Sequence, residues 1–587
     1  MAESIISPGV YTRENDISYI TPAPIQAGAA FVGPTVKGPD NQPLIVTSYS
    51  DYVRKFGETF LSASNKQYEF LTSVAVKNYF QNGGQTALVT RVVSGSYTTA
   101  TNTFISASAK GGTQPFTIAT LGKGVAYNNA QGQFSATGSD SNYINSDGSL
   151  VSGSTDNLRW EVSNVNNTLG TFTISVRQGD DNTNNKVILE TFNVNLDPNS
   201  DNYIEKVIGN QYVTVGTDGT TSYNYVVGEY PNASNYIRVS GVNLPTNYYL
   251  ANDGITVNRD VAGISFSGSL PTTGSGSFYN AAGAVKATAT FFSAIGSTSG
   301  ESQGLVPANY STALSLLSNK DDYQFNVIST PGLLNNAGFS STINSFIALA
   351  ENRGDCIAVV DLVATGSAVS TVAAQAATFN SSYAATYWPW LQIQSATGRN
   401  EWVPAGTVIP GVYAFTDAAS APWFAPAGLV RGGIGGVIQA ERKLAKGDRD
   451  TLYSAKVNPI ATFPGSGISV FGQKTLQTKA SALDRVNVRR LLIELKKFIG
   501  DQARNLVFEQ NTISTRNKFL ATVNPYLESV VQRQGLYAYR VVMDDTNNTA
   551  DVVDRNQLVG QIFIQPAKTI EFVVLDFTIE PTGATFG

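Results

Sequence analysis

A glycine-rich run and an acidic run are the segments of this 587-residue sequence whose residue types and spacing could do chemistry. Residues 432–436, Gly-Gly-Ile-Gly-Gly, could cradle phosphate, and residues 180–184, Asp-Asp-Asn-Thr-Asn, could offer oxygens to calcium. The glycine run lacks the Gly-Lys-Ser/Thr ending of a P-loop, and Ile438 stands where GxGxxG requires its third glycine. The acidic run has Asn185 and Thr191 where a calcium loop needs glycine and glutamate. Both runs are therefore predicted to be turns, with no metal bound.

The sequence contains no histidine and a single cysteine, Cys356. Ser-His-Asp, Cys-His and HExxH chemistries are excluded because each requires histidine. One cysteine forms neither an internal disulfide nor a thiolate zinc site, and the apolar run 356–360 predicts a buried strand residue. The carboxylates form no recognisable acid/base pair, so we expect no catalytic residues and no cofactor.

Helical and strand patterns alternate on both sides of a polar middle region. Helical spacing over 68–80 precedes a strand over 87–93, and a helix over 342–352 precedes a strand over 356–361. Between 94 and 302, short alternating runs are separated by Gly, Ser, Thr and Asn clusters, as in antiparallel strands. We predict an α/β domain that is interrupted by a β-insertion.

Charge is distributed unevenly along the chain, whose formal net charge is −5. Residues 439–540 carry 17 Lys and Arg against 8 Asp and Glu, whereas residues 541–587 carry 2 against 7. The molecule is therefore predicted to be electrostatically polarised, with one basic region.

An amphipathic helix is predicted over residues 484–510, where apolar residues recur at helical spacing. Arg489 with Lys496, and Arg490 with Lys497, are seven residues apart and flank the apolar stripe. A solvated basic face is the simplest interpretation, and contact with an acidic protein surface is the alternative. Nucleic acid is disfavoured, because the chain is acidic overall and carries no nucleic-acid-binding motif.

Both ends of the sequence are predicted to be extended. Residues 569–579 are an apolar strand candidate, and residues 9–15 lead into the stiff Thr-Pro-Ala-Pro segment at 21–24. Such ends suggest strand exchange between neighbouring subunits, although pairing within one chain is the alternative. Neither a signal peptide nor a run of about 20 apolar residues is evident, so we expect synthesis in a cytoplasm and no membrane insertion.

The ordered motifs resemble those of contractile-tail sheath proteins over residues 1–95 and 305–580. In the first part they are Ser-Pro-Gly-Val-Tyr at 7–11 with Glu14, Phe-Val-Gly-Pro at 31–34, Tyr-Val at 52–53 before Phe-Gly at 56–57, and Tyr-Phe-Gln-Asn-Gly-Gly at 79–84. In the second part they are Tyr-Trp-Pro-Trp at 387–390, Val-Pro-Ala-Gly at 403–406, Ala-Pro-Ala-Gly at 425–428, Val-Asn-Pro-Ile at 457–460, Asn-Val-Arg-Arg-Leu at 487–491, Phe-Glu-Gln-Asn at 508–511, Asp-Asp-Thr-Asn-Asn-Thr at 544–549 and Gln-Pro-Ala-Lys at 565–568.

The resemblance implies an α+β multidomain fold with strand-exchange arms at both ends. The implied divisions are an N-terminal arm (1–25), a discontinuous middle α/β domain (26–97 and 303–440), an outer β-insertion (98–302), an inner C-terminal domain facing the tail tube (441–567) and a C-terminal strand arm (568–587). The implied arm residues are Pro8, Gly9, Val10, Tyr11 and Glu14, and Ile570, Phe572, Val574, Leu575, Phe577 and Ile579. The basic helix falls in the inner domain, where Arg489, Arg490, Lys496 and Lys497 could face an acidic tube.

In function, the resemblance implies a structural subunit, not an enzyme, that polymerises as stacked hexameric rings around a tail tube. Contraction would drive the tube through the host envelope for genome ejection, with baseplate and tail terminator proteins as further partners. The protein would belong to the phage virion and assemble in the host cytoplasm.

Three alternatives remain open at this point. The first is the sheath of a phage-derived injection device, such as a contractile bacteriocin or a secretion system. A surface adhesin or S-layer protein would suit the Asn- and Thr-rich region but lacks an export signal. A tail-associated depolymerase would need a cleft with paired carboxylates.

Overall fold

The computed structural model of the protein contains two large sheets and a smaller C-terminal layer. It describes residues 25–572 apart from 62–66, 96, 103–104, 108, 111, 126, 129–144, 220, 284–294, 296–301 and 336–337. Helices make up 27% and strands 30% of the protein, which confirms the predicted mixed α and β composition.

The strands are β1 (Ile25–Gly33), β2 (Leu44–Val46), β3 (Thr59–Leu61), β4 (Gln67–Glu69), β5 (Ala87–Arg91), β6 (Thr101–Asn102), β7 (Phe116–Thr120), β8 (Leu158–Asn166), β9 (Thr171–Gln178), β10 (Ile188–Asn195), β11 (Tyr212–Asp218), β12 (Thr221–Val227), β13 (Ile237–Val242), β14 (Gly274–Tyr279), β15 (Tyr323–Leu334), β16 (Ile357–Asp361), β17 (Ala384–Trp388), β18 (Leu391–Gln394), β19 (Asn400–Val403), β20 (Val437–Ala440), β21 (Asn458–Phe463), β22 (Gly467–Val470), β23 (Leu536–Val542) and β24 (Gln561–Pro566).

The α-helices are α1 (Tyr49–Phe56), α2 (Leu71–Gln81), α3 (Ile204–Ile208), α4 (Ser311–Leu317), α5 (Ser340–Arg353), α6 (Val369–Ala376), α7 (Ile409–Ala419), α8 (Gly428–Arg431), α9 (Lys446–Ser454), α10 (Val486–Arg504), α11 (Ile513–Gln532) and α12 (Ala550–Asp554). Within the described ranges, no helix is both long enough and apolar enough to cross a membrane.

The larger sheet has eight strands in the order β2-β5-β1-β15-β16-β17-β21-β22. The strands from β5 to β21 run parallel, and the two edge strands pair antiparallel. Its central strands, such as residues 29–32 and 357–360, are continuously buried because apolar cores lie on both faces. The predicted helix–strand pairs are α2 with β5 and α5 with β16, so the alternating α/β pattern is confirmed.

The second sheet lies entirely within residues 101–279 and has the order β10-β9-β8-β14-β6-β7-β13, with antiparallel pairing throughout. Its core includes the fully buried side chains of Phe116, Phe172 and Phe278. Every described residue of this core comes from residues 100–281. A polar stretch of sequence can fold as a separate layer because it buries this apolar core of its own.

Arg91, at the end of β5, connects the two regions. Its side chain is buried, and Nη1 donates hydrogen bonds to the carbonyl oxygens of Gly38 (2.5 Å) and Lys123 (3.1 Å). Lys123 in turn forms an ion pair with Asp40 at 2.9 Å. The hairpin β11–β12 adds a second connection by packing on α4, where a backbone amide donates to Ser315 Oγ. The insertion is therefore held to the rest of the protein by side-chain and backbone contacts as well as by the two chain segments that connect it.

The C-terminal layer consists of α10, α11, β23 and β24 around a fourth apolar core. Helix α10 packs Val486 and Ile493 against the large sheet and directs Leu491 and Leu495 into the C-terminal core. The helix predicted over 484–510 is confirmed with the narrower bounds Val486–Arg504. One amphipathic helix thus joins two cores.

The predicted domain boundary at residue 441 cuts through the large sheet. Strands β21 and β22 follow this residue in the chain, yet β21 pairs with β17. The physical reason is that β17 needs a neighbour to cover its otherwise open edge. The sheet favours a division after β22, and the assignment of domains remains a proposal.

The predicted arms lie mostly beyond the described part of the chain. Pro8, Gly9, Val10, Tyr11, Glu14, Val574, Leu575, Phe577 and Ile579 lie outside the described residues. Residues 567–572 are described and are not in a strand, and Ile570 and Phe572 are 85% and 78% exposed.

Candidate functional site

The glycine-rich run 432–436 lies beside strand β22 as a turn, as predicted. The Gly432 carbonyl accepts from the Val470 amide (2.7 Å), and the Ile434 amide donates to the Ile468 carbonyl (3.1 Å). Asn78 Nδ2 donates to the Gly435 carbonyl at 3.0 Å. These hydrogen bonds hold the run against strand β22 and helix α2.

The acidic run 180–184 is also a turn, and its buried carboxylate is neutralised by arginine. Asp181 accepts from Arg177 Nε at 2.6 Å and from Arg159 Nη1 at 3.0 Å. The side chain of Asp181 is fully buried between these two cations. The sequence pattern could not show this pairing, because Arg159 comes from a neighbouring strand.

The carboxyl ends of parallel strands, where open α/β sheets bind ligands, are filled by the chain itself. The Gln303 side chain accepts from the Leu71 amide and donates to the Pro331 carbonyl, both at 2.9 Å. Asp361, at the end of β16, accepts from the Gly406 amide at 2.8 Å, beside a cavity of about 10 Å³. Burial raises the pKa of Asp361 to about 7. A cavity of this size has room for about one water molecule.

Cys356 is fully buried, as predicted, but it lies immediately before β16 and not within the strand. Burial raises the pKa of its thiol well above the usual range. The thiol is therefore protonated at neutral pH, and the thiolate is the reactive form.

Two of the four basic residues predicted on the helix face are used inside the chain. Arg490 is buried and donates through Nη2 to both carboxylate oxygens of Asp417, at 2.5 and 2.7 Å. Burial lowers the pKa of Arg490, but the charge of Asp417 more than compensates and raises it overall. Arg489 stacks on the ring of Tyr383 at 3.9 Å and bonds to Ser382. The expectation of one exposed strip of four cations is thus corrected to an exposed pair.

Lys496 and Lys497 form that pair, on the last part of α10. Lys496 is exposed, Lys497 is partly exposed, and both line a cleft of about 300 Å³ between α10 and the start of β15. Lys320 and Arg504 add positive charge to the cleft, although Arg504 is paired with Asp321 at 2.7 Å. Asp355 and Asp501 also line it, so basic residues outnumber acidic ones there without being alone. This arrangement can accept an acidic group from outside the chain.

The two-stranded sheet β23–β24 is the other surface with capacity for a partner. Among the described strands, β23 and β24 pair only with each other, so each has an open outer edge. One face packs on α11 through Ile562 and Ile564, whereas Phe563 and Tyr537 are exposed. Two strands alone are marginal in water, and open edges are templates for strand addition.

The chain leaves β24 along a groove of about 850 Å³ lined by aromatic residues such as Trp423, Phe471 and Tyr537. Here Glu571 is bound by side chains of Arg485, Tyr453 and Gln473. Sequence reasoning missed this contact, and its one signal was a single carboxylate within the otherwise uncharged start of the apolar segment at 569–575.

Comparison with known families identifies two adjacent regions. Residues 304–476 match the phage tail sheath protein central domain, and residues 478–580 match the phage tail sheath C-terminal domain. The tail sheath protein of Vibrio phage KVP40 is 43% identical over 195 residues, which cover 33% of this chain and 29% of that protein. The tail sheath protein of Enterobacteria phage T4 is 41% identical over 187 residues, 32% of this chain and 28% of that protein. The chain thus matches about three tenths of the length of these relatives.

Solved structures show a likeness over more of the chain. A sheath tail protein from Listeria innocua has a TM-score of 0.51 at 11% identity, over 92% of this chain and 95% of that chain. The anti-feeding prophage helical sheath in its contracted state has a TM-score of 0.45 at 14% identity, over 98% and 99% of the two chains. At such identities the Listeria likeness is one of fold alone.

Proposed function

The chain belongs to the phage tail sheath family, and on that premise we propose that it is the structural subunit of a contractile phage tail sheath. Copies polymerise as stacked hexameric rings around the tail tube, and contraction drives the tube through the host envelope for genome ejection. The sheath is part of the virion tail and assembles in the host cytoplasm, with the tube, baseplate and tail terminator as partners.

The observation that carries this proposal is the open β23–β24 sheet beside a departing chain end. Strands from neighbouring copies would extend this sheet through ladder hydrogen bonds, each contributing about 0.5–1.5 kcal/mol net. Within the described part of the chain, the side chains of Ile570 and Phe572 are strongly exposed. The N-terminal residues Pro8 to Tyr11 and the C-terminal residues Val574 to Ile579 are the proposed exchanged strands.

The contraction proposed here draws its energy from the lattice. An extended array relaxes into one with more contact between subunits, while the exchanged strands keep neighbours joined. Contacts with the tube must be weak because contraction breaks them, and exposed ion pairs of about 0–1 kcal/mol meet this requirement. Lys496 and Lys497 are the proposed tube-facing cations, since they reach solvent whereas Arg489 and Arg490 are buried.

The proposed domain arrangement is based on the separate apolar cores of the chain. The insertion 98–302 would lie on the outside of the sheath, and the C-terminal region would face the tube. The middle domain, 26–97 with 303–440, would link these two regions. The separate core within residues 100–281 and the pairing of β21 with β17 support this arrangement, with the inner domain beginning after β22.

Phage relatives favour a phage tail over the sheath of an injection device. The curated proteins at 43% and 41% identity are tail sheath proteins of phages. Since relatives of this chain are sheath proteins, family membership also favours a structural role over an adhesin, an S-layer protein or a depolymerase.

Removal of residues 1–19 tests the arm proposal. The truncated chain should remain folded, by circular dichroism, but sediment as a monomer under conditions in which the full chain forms tubes. A matched control, deletion of the exposed turn 252–254, should leave assembly intact. Ordered tubes from the truncated chain would refute the role of the N-terminal arm.

A further inference from the structure

Glu571 is the best-bound residue of the segment that leaves β24. Its Oε1 accepts from Arg485 Nε at 2.6 Å and from Gln473 Nε2 at 3.2 Å. Its Oε2 accepts from Arg485 Nη2 at 3.0 Å and from the Tyr453 hydroxyl at 2.9 Å. A bidentate arginine and two further donors saturate this carboxylate.

The three donors come from different elements. Tyr453 lies in α9, Gln473 follows β22, and Arg485 immediately precedes α10. Gln473 Nε2 also donates to Thr569 Oγ1 at 2.5 Å, so two alternate residues of the segment are held. We call Tyr453, Gln473 and Arg485 the carboxylate socket.

The electrostatics of the socket favour an ionised glutamate. Burial alone would raise the pKa of Glu571, but hydrogen bonds from Arg485, Tyr453 and Gln473 outweigh it and lower the pKa overall. The side chains of Arg485 and Glu571 are 25% and 17% exposed, so solvent screens this pair less than a fully exposed one.

The flanking residues point the other way. Glu571 faces the socket, whereas the side chains before and after it, Ile570 and Phe572, face solvent. Both are strongly exposed. The socket thereby fixes the position of the segment around Glu571, and Ile570 and Phe572 are the side chains that this segment exposes.

We propose that the carboxylate socket is a direction-setting anchor that holds the root of the C-terminal arm on its own subunit and aims it at one neighbouring copy. The inference rests on the proposed function, because it requires that the arm be exchanged. Without the contacts of Glu571, the arm would pivot from the contacts before it, which are the hydrogen bond of Gln473 to Thr569 and that of the Ala567 amide to the Gly535 carbonyl. A longer free tether lowers the effective concentration of the arm at its target. In the intact chain, tension along the arm during contraction would fall on the Glu571–Arg485 pair.

The test replaces Glu571 with glutamine, which keeps the shape of the side chain and removes its charge. The critical concentration for polymerisation of the full-length chain should rise about tenfold, as expected for loss of about 1.4 kcal/mol from one charge-assisted contact. Arg485→Gln should have the same effect, and the double variant should be no worse than either single variant. Arg555→Gln, which breaks the exposed pair with Asp551, is the matched control and should not change the critical concentration.

A second measurement follows the anchor without assembly. Since Cys356 is buried, a spin label on Phe572→Cys would report on the arm root alone in monomers below the critical concentration. The label should be immobilised with Glu571 present and mobile in the Glu571→Gln background.

The outcomes separate the anchor from the proposed function. Failure of the full-length chain to polymerise at all would overturn the proposed function, while the label would still test the anchor. Assembly lost on truncation of 569–587 but unchanged in Glu571→Gln, with unchanged label mobility, would overturn the anchor alone.

Discussion

At the scale of single residues, charges in this protein are placed by partners that lie far away in the sequence. Arg490 is paired with Asp417, 73 positions earlier, and stacks on Tyr413 at 4.7 Å. Helical periodicity correctly places Arg490 beside the apolar stripe of α10, but periodicity describes one element and carries no information on α7. The burial of this cation could therefore not be predicted from the sequence.

Substitution of Arg490 by alanine should lower the free energy of unfolding by about 2–4 kcal/mol, because it leaves Asp417 without its partner at the base of α10. The measurement is urea denaturation of the monomer. The double variant Lys496→Glu with Lys497→Glu is the control, and its stability should change by less than about 0.5 kcal/mol because both lysines reach solvent. This double lysine variant should, however, bind tail tubes more weakly than the parent chain, and its binding should depend less on salt concentration. Equal stability of Arg490→Ala and the parent would contradict the assigned role of the ion pair.

Two buried carboxyls should make stability depend on pH. Burial raises the pKa of Glu69 from 4.5 to about 7, although its hydrogen bond from the Ala396 amide acts in the opposite direction. Burial likewise raises the pKa of Asp361, to about 7. Their protonated forms are favoured by folding, so stability should fall as pH rises from about 4.5 to 7 and level off above that range.

Glu69→Gln removes one of these groups and should raise the free energy of unfolding by about 2 kcal/mol at pH 8, with the gain shrinking towards pH 5. Thermal or urea denaturation at several pH values measures this. Glu509→Gln, at an exposed position, is the control and should show no such trend. A gain from Glu69→Gln that is equal at pH 5 and pH 8 would rule out the buried charge as its cause.

At the scale of elements, local patterns of helices and strands could be predicted from the sequence, whereas the pairing of strands and their open edges could not. The alternation of helices and strands around α2, β5, α5 and β16 could be predicted, because each is a local apolar pattern ended by turn residues. The place of β21 in the large sheet could not be predicted, because strand order depends on contacts between distant segments. The open edges of β23–β24 are equally invisible in the sequence, which shows strands but not their neighbours.

Phe563→Lys tests whether the exposed face of β24 is an assembly surface. Phe563 is 55% exposed, so the monomer should keep its stability to within about 0.5 kcal/mol. A lysine there should raise the critical concentration for polymerisation at least about tenfold, because charge on an open strand opposes further pairing. Ile255→Lys, in the insertion and 78% exposed, is the matched control. Normal assembly of Phe563→Lys would show that this strand face stays exposed in the polymer.

At the scale of the whole molecule, the chain combines a large, mainly parallel sheet, an inserted β-layer and a C-terminal layer with an open sheet. Thr98 and Ala282 are hydrogen-bonded neighbours, with the Thr98 amide donating to the Ala282 carbonyl at 3.0 Å. The chain therefore enters and leaves the insertion at one place.

Replacement of residues 99–281 by a short Gly-Ser turn should leave the large sheet and C-terminal layer folded and able to polymerise. The remainder loses its contacts with Lys123, the Lys37–Asp156 ion pair and the bond from the Ser222 amide to Ser315, but water can replace these at the new surface. Circular dichroism and electron microscopy of the shortened chain give the answer. An aggregated or unfolded product would show that the insertion is required for the remaining fold.

The most direct test of the central claim is electron cryomicroscopy of polymers formed by the purified full-length chain. We expect tubes with six-fold end views, in which strands from neighbouring copies extend β23–β24 and the C-terminal arm leaves its own subunit at Glu571. Chains that stay monomeric at high concentration, or tubes in which β23–β24 remains two-stranded, would contradict assembly by strand exchange.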